Sequence, residues 1–170
     1  IRDSYDGVPK IKELFYSPEN DKYILYEECI QGYTIESMLS KGTCFGKKFV
    51  IKMATALCNI LKPIHNDNLI HRDISPNNVM YSQIEDKFYL IDFGNSRLNK
   101  INTPKDTVFA GTPIFMAPEQ GGVGTQSDNR TDIYAIGMLM KFMLTKNTTD
   151  KKSKIRGRLG KIIKKCTQSE

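Results

Sequence analysis

Three oxygen-bearing side chains, Asp73, Asn78 and Asp92, lie in one short stretch of the sequence, inside the strings His71-Arg72-Asp73, Asn78 and Asp92-Phe93-Gly94, with Ala117-Pro118-Glu119 following. A hard divalent cation such as Mg²⁺ takes one or two carboxylates plus phosphate oxygens and keeps several waters, so it asks for few protein ligands. Asp92 and Asn78 are ligands of that kind, and Asp73 is the remaining carboxylate. The chemistry such a set suits is phosphoryl transfer, which needs an in-line hydroxyl, oriented phosphates and positive charge against the transferring oxygens. Each residue also has a plainer reading. Asp73 beside Pro76 and Asn77 is a turn-former, Asn78 a strand-end cap, and Asp92 before Gly94 a tight-turn residue.

The surrounding pattern shows what must hold these residues. Ile11 to Tyr16 and Tyr23 to Tyr26 are aromatic and β-branched runs around Ser17, Pro18, Glu19, Asn20 and Asp21, which predicts a hairpin. Between Lys47 and His65 the apolar positions Val50, Met53, Leu57, Leu61 and Ile64 step by three or four, the stripe of a long helix that Pro63 should kink or end. Val79 to Ser82 and Phe88 to Ile91 predict a second hairpin, which sets Asn78 before one strand and Asp92 after the other, so both can face one point. Asp132 introduces Ile133 to Leu144, apolar on nearly all faces and hence a buried helix, with Asp132 as its N-cap. A last short helix is expected over Leu159 to Cys166. The irregular stretch from Gly94 to Gly124 is long for a compact domain, and loops of that length are usually functional.

Composition bounds the rest. A chain of 170 residues, 39% hydrophobic and 26% charged, fits one domain or a large piece of one. The net charge of +6 is local: Asp150 to Lys165 holds eight basic residues and one acid, so the remainder is close to neutral and no nucleic-acid partner is expected. Cys29, Cys44, Cys58 and Cys166 are scattered without a metal-binding spacing and read as reduced, mostly buried thiols. Ile133 to Leu144 is far shorter than the ~20 residues that cross a bilayer, so no membrane segment is expected. The chain opens on Ile1 rather than methionine and shows no secretory leader, and a cytoplasmic fragment is the expectation.

With their order and intervals, the four strings resemble those of the protein kinase family, across nearly the whole chain. The resemblance implies an α+β, kinase-like fold, with residues 1–28 a β-hairpin remnant of the N-lobe and the start of the hinge, and residues 29–170 a mostly helical, incomplete C-lobe. It implies ATP and Mg²⁺ (or Mn²⁺) as cofactors, Asp73 accepting or orienting the proton of a substrate hydroxyl, and Asn78 and Asp92 on the metal. His71, a metal ligand or base on its chemistry alone but with only His65 for company, becomes a packing residue under Phe93. Arg72 becomes a guanidinium awaiting phosphate on the activation segment, with Thr107 or Thr103 as the hydroxyl that carries it. Thr112, in Gly111-Thr112-Pro113, resembles the threonine that fixes the catalytic loop in serine/threonine kinases. Glu119 resembles the segment's anchor, normally through an arginine further downstream. Tyr26, Glu27, Glu28 and Cys29, running to Gly32, resemble the hinge that meets adenine through backbone groups, and Met80 its apolar floor. Asp132 is expected also to tie down the catalytic-loop backbone.

Two departures stand against this pattern. No glycine-rich phosphate loop, strand lysine or partnering helix glutamate is found, and nothing in Ile1 to Lys10 replaces them, so N-lobe residues of a longer chain are expected partners. Ser75 stands where serine/threonine kinases usually carry a lysine that contacts the transferring phosphate. The expected function is ATP- and Mg²⁺-dependent phosphorylation of serine or threonine hydroxyls on protein substrates, in the complete protein. A non-catalytic, pseudokinase-like binding module is the alternative, disfavoured because Asp73, Asn78 and Asp92 are all intact. Small-molecule phosphotransferases with a related core typically lack an Ala-Pro-Glu segment and fit less well.

Overall fold

A computed structural model of the chain describes residues 5–99, 111–121, 127–146 and 155–168. Strands β1 (Ile11–Ser17) and β2 (Lys22–Glu27) pair antiparallel, and Asp21 takes φ 50° in the turn between them. Their side chains are largely exposed on both faces, with Leu14 at 60% and Tyr23 at 76%, so among the described residues the pair lacks the covering layer a two-stranded hairpin needs. After β2 the chain enters β3 (Tyr33–Thr34) and a short helix, α1 (Ile35–Ser40), capped by Thr34, whose hydroxyl accepts from the Ser37 amide at 3.0 Å.

Helix α2 (Lys47–Asn66) buries Val50, Met53, Leu57, Ile60, Leu61 and Ile64, the stripe its periodicity predicts. It runs on past Pro63. A proline this near the C-terminal end removes one amide, opposite the carbonyl of exposed Asn59, and the Asp67 amide closes the helix on the Pro63 carbonyl at 3.1 Å. Then follow β4 (Leu69–Ile70), β5 (Val79–Ser82), β6 (Lys87–Leu90) and β7 (Arg97–Leu98). β3, β5 and β6 form one sheet and β4 pairs with β7 in another. The β5–β6 hairpin appears where its pattern predicts, with β6 beginning and ending one residue earlier than expected.

Helix α3 (Asn129–Thr145) buries Ala135, Ile136, Leu139, Met140 and Met143, and α4 (Gly157–Cys166) packs Leu159 and Ile163 into the same core. Its cap is Asp128, not Asp132. Asp128 accepts from the Arg130 amide at 2.7 Å, and its own amide donates to the Thr131 hydroxyl at 3.3 Å in a capping box. The thiols also differ from expectation. All four are free; Cys29, Cys44 and Cys58 are exposed and Cys166 is half-buried, because the first two lie on loops and Cys58 falls off the buried stripe of α2. No described helix is long and apolar enough to cross a membrane.

Candidate active site

The two polar loops that hold Asp73, Asn78 and Asp92, 71–78 between β4 and β5 and 91–96 between β6 and β7, are closed against each other at both ends. Leu69 pairs with Leu98 and Ile70 with Arg97, and at the other end Val79 pairs with Leu90. The Ile91 amide donates to the Asn78 carbonyl at 2.9 Å, which sets Asp92 beside Asn78 as the hairpin predicts. Two of the positive-φ positions are here. Arg72 has φ 69° and Asp92 φ 62°, left-handed conformations that cost energy in a non-glycine residue.

Asp132 holds the first loop from below. Fully buried in the first turn of α3, its carboxylate accepts from the His71 amide at 3.0 Å, the Arg72 amide at 2.9 Å and His65 Nε2 at 2.7 Å. The expectation that Asp132 ties down the loop backbone therefore stands, without the cap. His71 is buried with its ring edge-on to Phe93, centroids 4.7 Å apart, as the packing role requires. Its Nε2 faces the Ile91 carbonyl at 3.1 Å and its Nδ1 accepts from the Asp73 amide at 3.3 Å. One nitrogen that donates and one that accepts describe a neutral ring, and burial lowers the His71 pKa in the same sense. Burial likewise works against the charge of Arg72, while Asp132 favours it.

The Asp73 carboxylate meets the incoming segment. Its Oδ1 accepts from both the amide and the hydroxyl of Thr112, each at 2.8 Å, and its Oδ2 from Asn95 Nδ2 at 3.1 Å. Asn78 donates Nδ2 to the Asp73 carbonyl at 2.8 Å, which leaves its Oδ1 on the other side. Asp92 accepts the Gly94 amide on Oδ1 at 3.0 Å and is otherwise solvent-facing. Among the described residues no three His, Cys, Asp or Glu converge on a metal-binding point. One carboxylate and one amide oxygen form the smaller set that Mg²⁺ completes with water and phosphate.

Sequence reasoning missed two supports. Gln120, buried in the turn Pro118–Gly121, donates Nε2 to the Arg72 carbonyl at 2.7 Å and accepts the Ala117 amide at 2.9 Å. Gly111 makes room for this clasp, since at φ 121° a Cβ there would sit 2.7 Å from the Arg72 carbonyl oxygen. The other is Asn95, which no motif singled out. Glu119 is tied to α3 through the Thr131 hydroxyl at 3.0 Å. Ser75 is fully buried, and its Oγ reaches no hydrogen-bond partner among the described residues. Thr103 and Thr107 lie outside the described residues.

The segment that would meet a base continues from β2. Tyr26 and Cys29 are exposed, and the Glu28 amide donates to the Lys10 carbonyl at 2.8 Å. Gly32 lets the chain pass directly over β5, since a Cβ there would come within 2.6 Å of the Tyr81 carbonyl oxygen. Thr34 then pairs with Met80. Alternation along β5 puts Val79 and Tyr81 toward α2, where Tyr81 meets Phe49 edge-on at 5.0 Å, and half-buried Met80 on the opposite face.

The family described as "Protein kinase domain" matches residues 4–169. The chain is 31% identical over 85% of its length to serine/threonine-protein kinase B of Synechocystis sp., covering 26% of that protein, and 28% identical over 84% of its length to serine/threonine-protein kinase PknA of Nostoc sp., again covering 26%. It thus spans about a quarter of these curated relatives. The solved structure of the Cydia pomonella granulovirus kinase PK-1 superposes with a TM-score of 0.70 at 18% identity, over 83% of this chain and 50% of that one, a likeness of fold.

Proposed function

The chain belongs to the protein kinase family, and from that premise we propose that the full-length protein transfers the γ-phosphoryl group of ATP, with Mg²⁺ or Mn²⁺, to serine and threonine hydroxyls of protein substrates. The observation that supports this reading best is the closure of the two loops, which brings Asp73, Asn78 and Asp92 to one edge of the β5–β6 hairpin. Asn78 Oδ1 and the Asp92 carboxylate would hold the cation, which when bound offsets charge on the phosphate oxygens. Asp73 would accept the hydroxyl proton, Thr112 would fix Asp73 under the substrate, and residues 26–29 with Met80 would frame the adenine. In this reading residues 1–28 are the end of an N-lobe and the hinge start, residues 29–170 are C-lobe, and the protein works in the cytoplasm. A binding-only role is the weaker reading, because a lobe kept for interaction alone has no need of all three oxygen donors.

Positioning decides what this chain does unaided. Holding a γ-phosphate in line with a hydroxyl is worth several kcal/mol of barrier and depends on gripping the phosphates from both sides. Asp92 and Asn78 grip from one. The 170-residue chain is therefore expected to bind Mg²⁺-ATP weakly and transfer phosphate poorly, while the full-length protein phosphorylates serine and threonine in peptide panels only when a divalent cation is present. The bare apolar faces of β1 and β2 should also make the isolated chain prone to association. Nucleotide titration, a transfer assay and phosphoamino-acid analysis on both lengths check this. Robust turnover by the 170-residue chain would refute the one-sided grip, and no transfer by the full-length protein would refute the activity.

Activation is proposed to run through Arg72 and Thr107. A phosphate adds close to two negative charges, and a guanidinium fork binds such oxygens in pairs. Phosphorylated Thr107 is expected in mass spectra of active protein, and Thr107→Ala and Arg72→Ala should each lower activity. Full activity in both variants would make Arg72 purely structural.

A further inference from the structure

We propose that Asn95 is a positioning residue for the Asp73 carboxylate, leaving it one acceptor direction for the substrate hydroxyl; the inference rests on the phosphoryl-transfer reading above. An ionised carboxylate offers about four lone-pair directions. The Thr112 amide and hydroxyl take two on Oδ1, and Asn95 Nδ2 takes a third on Oδ2 at 3.1 Å. What remains is a single direction on Oδ2. Without Asn95 the carboxylate is pinned at Oδ1 alone and can present either direction of Oδ2, so a hydroxyl binds in more than one pose and the in-line pose is less populated.

The fold places Asn95 for this. Gly94 donates to Asp92 Oδ1 at 3.0 Å, and the Ser96 amide and hydroxyl both donate to the Phe93 carbonyl, at 2.9 and 2.6 Å, which closes a tight turn with Asn95 at its corner. Immediately afterwards β7 pairs with β4, and β4 leads straight into His71, so the turn is folded back over Asp73. Ser75, two residues after Asp73, is buried with its hydroxyl meeting no described partner, so it supplies no donor to this carboxylate. A neutral amide therefore guides Asp73 from the second loop. It orients without adding a charge that would draw the proton-accepting oxygen away from the hydroxyl.

The test is a double-mutant cycle in the full-length protein, with steady-state kinetics on a serine or threonine peptide. Asn95→Leu, close in volume but without a donor, should lower kcat by roughly ten- to a hundredfold, with KM for ATP unchanged. Asn95→Asp, an acceptor facing an acceptor, should lose more, and Asn95→Gln, which keeps the donor, should lose less than Asn95→Leu. In an Asp73→Asn background Asn95→Leu should cost nothing further. An unchanged or raised kcat in Asn95→Leu overturns the proposal, as does an equal cost with and without Asp73. So does a parallel loss in KM for ATP and thermal midpoint that Asn95→Gln shares, since that marks a merely structural turn. No phosphate transfer by the unmutated full-length protein would instead overturn the phosphoryl-transfer reading beneath it, and full turnover by Asp73→Asn would overturn the role of the carboxylate that Asn95 is proposed to position.

Discussion

Asp73→Asn in the full-length protein is expected to remove most turnover, by about 10²–10⁴-fold, and to leave nucleotide affinity nearly unchanged. The amide is isosteric and its oxygen can still receive the Thr112 donors, so the loop should keep its shape. What is lost is the charge that draws a proton from the hydroxyl in the transition state. Nothing in that loss touches ATP. Asp92→Asn acts on the other side of the reaction: it removes a full negative charge from the proposed cation site, so Mg²⁺-ATP should bind more weakly, and the defect should shrink as the cation concentration rises. Single-turnover kinetics separate the two, since saturating Mg²⁺-ATP should restore Asp92→Asn in part and Asp73→Asn not at all. Equal loss of nucleotide affinity in both variants would sink the division of roles.

The placement of those residues was legible in the sequence because the motifs that carry them are local. The hairpin from Val79 onward, with Asn78 before it and Asp92 after it, can be read from alternation and turn residues, and the α2 stripe from its spacing. The misreadings share a cause. Asp132 looks like a cap because it precedes an apolar run, yet its partners are backbone amides some sixty residues away, and the true cap, Asp128 with Thr131, carries a local signature that the apolar run outweighed. The burial of a cysteine depends on which helix face meets the core, which composition does not record. Gln120 and Asn95 belong to no triplet and bond across 48 and 22 residues, so only the folded loops reveal what they hold. Thr107 illustrates the opposite case. Its proposed role comes entirely from resemblance, and it lies outside the described residues.

The largest effect on stability is expected at Asp132. Its carboxylate is fully buried and accepts from the His71 and Arg72 amides and from His65. Asp132→Ala strands two backbone donors, that of His71 buried and that of Arg72 partly so, and a histidine at once, and also opens a small void under the loop. Breaking a buried charged contact of this kind typically costs about 3–5 kcal/mol, against a total stability of roughly 5–15 kcal/mol for a domain. Asp132→Asn should cost less. Its remaining oxygen can serve the Arg72 amide, but its NH₂ group faces the His71 amide, donor against donor. Arg72 is held at φ 69°, a costly conformation that its bound amide helps to maintain, so relaxation of the loop should accompany the loss. Chemical denaturation gives the size, and hydrogen exchange at the His71 and Arg72 amides gives the place. Destabilisation under about 1 kcal/mol in Asp132→Ala, the worth of one ordinary hydrogen bond, would show that the carboxylate is not what holds the loop. His65→Ala removes one donor and leaves the two backbone bonds intact, so it should fall well below Asp132→Ala; a comparable loss would move the anchor from the carboxylate to the histidine.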